Sequence, residues 1–224
     1  MIQIAIDGPA GSGKSTTAKG ISKILNINYM DTGAMYRAMA YAMLTRGVDL
    51  SQERDVMSEM KDISLRVEYL GSEQHILING EDVTSHLRLP EVSKGASAVA
   101  KIAKIREYLV DIQRKTAEKY DIVMDGRDIG TCVLKDAPVK FYLTASIRKR
   151  AQRRYNQLKQ AGIDSDLKQL EDEIALRDKN DKQREVSPLR MADDAILIDN
   201  SELTEKQVND IILSRVREVY GADV

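Results

Sequence analysis

The sequence predicts an α/β protein with a doubly wound, five-stranded parallel sheet, a small antiparallel β-insert and a helical lid. Three observations carry the prediction. Short apolar runs alternate with longer helical patterns, as strands buried on both faces and joined by crossover helices require. The first run is followed by Gly8-Pro9-Ala10-Gly11-Ser12-Gly13-Lys14-Ser15, a full match to G-x-x-x-x-G-K-[ST] at a strand-to-helix junction. Acidic residues then sit where runs stop, at Asp7, Asp31 and Asp125, and ligands gather at the carboxyl ends of such strands.

The strands are expected at 2–7, 27–31, 121–125, 139–144 and 195–199. After the first, the glycines let the backbone curl so that successive N–H groups point inward, and the next helix adds the positive end of its dipole. Lys14 brings a mobile charge and Ser15 a hydroxyl for Mg²⁺, so this loop predicts a nucleoside triphosphate site. Met35, Met39 and Met43 recur every four residues after the second strand and read as core packing. Between 64 and 83, Leu65, Val67 and Tyr69 alternate with polar residues, and Asn79-Gly80 marks a tight turn, which predicts the antiparallel insert. Residues 90–120 read as one or two helices, with small residues early and charges late. The charged helical stretch 148–190, broken near Ala161-Gly162 and stopped at Ser187-Pro188, is expected to be a mobile lid. No repeat or linker divides the chain, so one domain is expected.

Composition narrows the function. Lys and Arg total 34 against 35 for Asp and Glu, so no global field draws the 224-residue chain to nucleic acid or an anionic membrane. An anionic ligand must be met locally. One cysteine, Cys132, forms no internal disulfide, and no apolar run reaches membrane-spanning length. A cytoplasmic protein, monomeric by expectation, fits this composition. His75 and His86 lack the paired spacing of a zinc site.

Transferring a phosphoryl group requires positive charge around several anionic oxygens, and arginine offers planar paired donors. The candidates are Arg37, Arg106, Arg127, Arg153, Arg154, Arg177, Arg184 and Arg190. Any one of them alone reads as a solvated surface residue. Placement singles out Arg37, one turn past a strand end, and Arg127, inside Asp125-Gly126-Arg127-Asp128-Ile129-Gly130, where two glycines permit close approach to a ligand. Asp125 has two readings: an acid near Mg²⁺ or its waters, or a cap for the loop behind it. Asp7 is expected to serve a turn.

Four ordered motifs resemble the bacterial-type cytidylate kinases, a branch of the P-loop nucleoside monophosphate kinases. They are Ile6-Asp7-Gly8-Pro9 with the loop behind it, Asp31-Thr32-Gly33-Ala34-Met35-Tyr36-Arg37, Asp125-Gly126-Arg127-Asp128-Ile129-Gly130-Thr131, and Arg177-Asp178-x-x-Asp181-x-x-Arg184-x-x-Ser187-Pro188-Leu189. The likeness runs nearly end to end and includes the β-insert. It implies a P-loop kinase domain over 1–224, a sheet of order 2-3-1-4-5, a monophosphate-binding region with its insert at about 32–110, and a lid at about 148–190. By the same resemblance, ATP would lie on Gly8, Pro9, Ala10, Gly11, Ser12, Gly13, Lys14, Ser15 and Thr16, approached by Arg153 and Arg154. Adjacent arginines on one helix cannot both face inward equally. Mg²⁺ would be held by Ser15 and by Asp125, directly or through water. Thr32 would bind the substrate, Tyr36, Arg37, Arg127 and Arg177 would surround the acceptor phosphate, Arg177 and Asp181 would reach the ribose, and Ser97, Arg106, Asp128 and Arg184 would frame cytosine. Lys14, Arg127 and Arg177 would carry the catalysis.

The chemistry of the base agrees with those roles. Cytosine offers an amine donor beside ring-nitrogen and carbonyl acceptors, so an aspartate facing the amine and Arg or Ser donors facing the acceptors would select it over uracil. The implied reaction is in-line transfer of the γ-phosphoryl of ATP to CMP or dCMP, in pyrimidine nucleotide metabolism. A kinase for UMP, AMP or another small acceptor is the nearer rival. A regulatory GTPase is remoter, since neither N-K-x-D nor D-x-x-G occurs.

Overall fold

The computed structural model describes residues 1–222. Strand β1 (Gln3–Asp7) enters the glycine-rich loop and α1 (Lys14–Leu25), and β2 (Asn28–Asp31) leads straight into α2 (Thr32–Leu44) and then α3 (Glu53–Glu59). The insert follows as β3 (Leu65–Leu70), β4 (Glu73–Ile78) and β5 (Glu81–Asp82), an antiparallel sheet in that order. Its second turn is the Asn79-Gly80 pair, both left-handed at φ 52° and 89°, as a two-residue hairpin needs. Residues 90–120 hold two helices, α4 (Pro90–Val99) and α5 (Ala103–Ala117), followed by β6 (Ile122–Gly126) and β7 (Val139–Thr144). The expected lid contains α6 (Ile147–Gln160) and α7 (Leu167–Lys182), and β8 (Ile196–Asp199) and α8 (Glu205–Tyr220) follow.

The large sheet has the order β2-β6-β1-β7-β8, with every neighbouring pair parallel. Counting only these strands along the chain, the order is the expected 2-3-1-4-5. Alternation along each strand divides the core into two layers. Ile4, Ile6 and Val123 face α1 and α8 with Phe141 and Leu143, while Ala5, Met30, Ile122 and Met124 face α2, α4 and α5. Met35, Met39 and Met43 are fully buried in the second layer, where truncating one to alanine should cost about 2–5 kcal/mol. Helices α6 and α7 share a small apolar cluster of Ala151, Leu170 and Ile174, with Tyr155, Leu158 and Leu167 partly buried against it. Among the described residues no helix is long and apolar enough to cross a membrane.

Two features aim the site. All five parallel strands end on one edge of the sheet, beside the glycine-rich loop and the N-terminus of α2. Asp31 caps α2 by accepting from the Ala34 N–H at 2.9 Å, which fixes where the Thr32 to Arg37 turn begins.

Candidate active site

The loop behind β1 is shaped by glycine. At Gly8, φ is 149°, and a Cβ there would stand 2.0 Å from the Leu143 carbonyl oxygen, so no other residue fits. Gly13 caps α1 in a left-handed conformation with no side chain closing the helix end, which leaves the N–H groups of the first turn for a ligand. The Ser12 carbonyl is drawn outward by Asn200 Nδ2 at 2.8 Å and Arg153 Nη1 at 3.3 Å. Lys14 is buried at 5% exposure and donates to the Pro9 carbonyl at 2.8 Å. Burial first, then the charge of Arg127, pulls its pKa down to about 7. Such an ammonium is poised to gain from an arriving anion.

Asp125 stands at the end of β6, beside this loop. Its carboxylate accepts from Ser15 Oγ at 2.9 Å and from the Tyr29 hydroxyl at 2.7 Å, and burial, followed by the charge of Asp31, raises its pKa. These bonds are all to side chains. The loop after β6 is braced instead by Asp7, which accepts from the Ile129 N–H at 2.8 Å and the Gly130 N–H at 2.7 Å. Burial pushes the Asp7 pKa up to about 7 in spite of those two bonds. Asp7 therefore serves the distant Asp128 loop as well as ending its own strand.

Across from Lys14 and Ser15 lies a cleft of about 250 Å³. It is bordered by Thr32, Tyr36 and Arg37 from α2, Ser97 from α4, Arg106 from α5, Arg127 and Asp128 after β6, and Arg177, Asp181 and Arg184 from α7 and the turn beyond it. Several of these charges are paired with one another. Arg106 Nη2 donates to Asp128, both buried, and its guanidinium lies 5.2 Å from the Tyr36 ring centre. Arg127 Nε donates to Asp181 at 2.8 Å, and Arg37 Nη2 donates to Asp31 at 2.7 Å. Burial works to raise the Asp181 pKa, but Arg127 outweighs it and holds the carboxyl below the usual range. Thr32 Oγ1 is committed to the Asp125 carbonyl at 2.7 Å.

Other donors have no partner. Arg37 Nε, Arg106 Nε, and Arg184 Nε and Nη2 are buried without one among the described residues. Burial, with Arg106 next, lowers the Arg184 pKa; burial, with Arg127 next, lowers that of Arg177. A desolvated set of cations with open donors calls for an anion and for polar acceptors beside it.

The remaining sequence candidates lie around this cleft. Arg153 holds the outside of the loop and Asn200, whereas Arg154, the next residue on α6, is exposed and makes no hydrogen bond or ion pair among the described residues. Thr16 is exposed on the first turn of α1, and Arg190 is exposed and does not border the cleft. His75 pairs with Asp82 at 2.6 Å and His86 stacks on Tyr41.

Sequence reading missed Tyr29, Asn200 and Arg150, and also Gln74, whose side chain accepts from the Asp31 N–H at 2.8 Å; Asp178 stands in the fourth motif but carries no role there. None of Tyr29, Gln74, Arg150 and Asn200 belongs to a pattern with a spacing signature. Only contacts across 28 to 188 residues reveal them.

A family model described as cytidylate kinase matches residues 4–218. A cytidylate kinase of Bacillus cereus (strain ATCC 10987 / NRS 248) is 47% identical over 220 residues, covering 98% of each chain. One of Bacillus thuringiensis (strain Al Hakam) is equally similar, at 47% over the same coverage. A solved structure of an uncharacterized protein from Eubacterium ventriosum ATCC 27560 aligns with a TM-score of 0.55 over 96% of this chain and 98% of its own; at 17% identity that likeness speaks for the fold alone.

Proposed function

The chain belongs to the cytidylate kinase family, and from that premise we propose that it transfers the γ-phosphoryl group of ATP to CMP and dCMP. One observation carries the reading: unpartnered buried donors of Arg37, Arg106 and Arg184 border one cleft with Lys14 of the glycine-rich loop and with Asp128. The loop and the first turn of α1 hold the ATP phosphates, and Lys14 leaves the Pro9 carbonyl for a phosphate oxygen. Arg37, Arg127 and Arg177 hold the acceptor phosphate and take up charge as it is attacked in line. Arg177 and Asp181 meet the ribose. Asp128 accepts from the cytosine amine while Arg106, Arg184 and Ser97 donate to its other edge.

Among the described residues no three His, Cys, Asp or Glu side chains converge as a metal cage. That suits Mg²⁺, which keeps most of its oxygens from phosphate and water and needs few from protein. Ser15 and Asp125, already hydrogen-bonded to each other, are the residues that would hold it, and bound Mg²⁺ would neutralise charge on the phosphates. We assign the monophosphate-binding region to about 32–110 and the lid to about 148–190. Lid closure excludes water, so that ATP is not simply hydrolysed. The residues given roles here all come from one chain, which supports a monomer, and we assign the reaction to the cytoplasm.

A coupled ADP-release assay across CMP, dCMP, UMP and AMP tests the reading. CMP and dCMP should give the highest kcat/KM. A preference for AMP, or ADP release independent of any monophosphate, would refute it.

A further inference from the structure

Arg150 lies outside the cleft, yet it is only 3% exposed and every arm of its guanidinium is engaged. Nε donates to the Ala145 carbonyl at 2.9 Å and Nη1 to the Ala10 carbonyl at 2.9 Å. Nη1 and Nη2 both reach Asp178, at 3.1 and 2.6 Å. These acceptors come from three separate pieces: the segment just after β7, the phosphate loop and α7. The loop also rests directly on this side chain, since a Cβ at Gly11 would lie 3.3 Å from Arg150 Cβ.

Asp178 is the neighbour of Arg177 and precedes Asp181 by three residues, and both of those border the cleft. The apolar cluster between α6 and α7 has three buried members, Ala151, Leu170 and Ile174, so the Arg150–Asp178 bonds are a polar addition to a small apolar contact. A buried Arg–carboxylate pair contributes little net stability compared with apolar packing, but its two-pronged fork fixes both distance and rotation.

We propose that Arg150 and Asp178 are a positioning pair that locks the phosphate loop to the arginine-bearing helix α7, so that donor and acceptor meet in line. The inference rests on the phosphoryl-transfer reading above and adds to it a requirement at two residues that border neither substrate. Such a pair sets alignment more than affinity.

Arg150→Lys keeps the charge and removes the fork; Asp178→Asn keeps the shape and removes the charge, and needs no repacking should the first variant fail to fold. Each variant is assayed with ATP and CMP, with thermal unfolding measured alongside. In both, kcat should fall about 10- to 100-fold while KM for ATP and for CMP each stays within about threefold. Asp178→Glu, which restores a carboxylate, should recover part of the loss. Parent-like kcat in folded Asp178→Asn overturns the pair, as does a loss confined to KM for ATP, which would make Arg150 a prop for the loop alone. No CMP-dependent ADP release in the parent overturns the assigned reaction, a failure distinct from parent-like turnover in the variants.

Discussion

Arg184→Met should stabilise the ligand-free protein and impair its use of CMP, two effects of opposite sign from one side chain. Arg184 Nε and Nη2 are buried without partners, and Arg106 and Arg127 add like charge. An unsatisfied buried polar group costs about 1–3 kcal/mol, and methionine fills much of the same space with no donor to satisfy. The ligand-free protein should therefore gain about 1–3 kcal/mol, with each kcal/mol raising Tm by about 2–4 °C for a chain of this size. Losing a charged hydrogen bond to the base should cost about 1.5–3 kcal/mol, or roughly 10- to 150-fold in CMP affinity. Urea unfolding without ligand and calorimetric titration with CMP measure the two effects separately. A destabilised variant would show that the guanidinium is satisfied in the free protein. Unchanged CMP affinity would remove Arg184 from the base site.

Lys14→Ala should lower turnover about 10²-fold or more with thermal unfolding little changed, because the ammonium stabilises charge on the transferring group; near-normal kcat would refute the loop's role. Asp128→Asn should shrink the CMP to UMP ratio of kcat/KM, chiefly through lost CMP activity, and should destabilise the fold by about 1–3 kcal/mol because buried Arg106 loses its charge partner. An unchanged ratio would make Asp128 structural only. Asp7 is predicted to make stability depend on pH. Its pKa in the fold, about 7, lies above its ordinary value of 3.8, so between those values unfolding releases a proton and stability falls as pH rises. Urea midpoints of Asp7→Asn should vary less with pH across that window than those of the parent, and equal slopes would contradict the assignment.

Much of this architecture is legible in the sequence because it rests on local signals. The glycine loop, the Asn79-Gly80 turn and the methionine stripe each follow from a short pattern, and the structure places all three as expected. The residues expected to bind the monophosphate also converge, because strand ends and the first turns behind them share one edge of the sheet. What stayed hidden is the pairing. Nothing local says that Asp7 braces a loop 122 residues away, that Tyr29 holds Asp125 or that Arg150 reaches Asp178. Burial explains the gap: such bonds exist only once packing has excluded water, and their partners are chosen by topology.

On this reading one cleft selects cytidine monophosphate as phosphoryl acceptor. Incubating the protein with limiting ATP and Mg²⁺ and an equimolar mixture of CMP, UMP and AMP, then quantifying the diphosphates chromatographically, tests it directly. CDP should dominate the products formed with ADP. A mixture in which UDP equals or exceeds CDP, or in which AMP is the acceptor consumed, would rule out that selectivity.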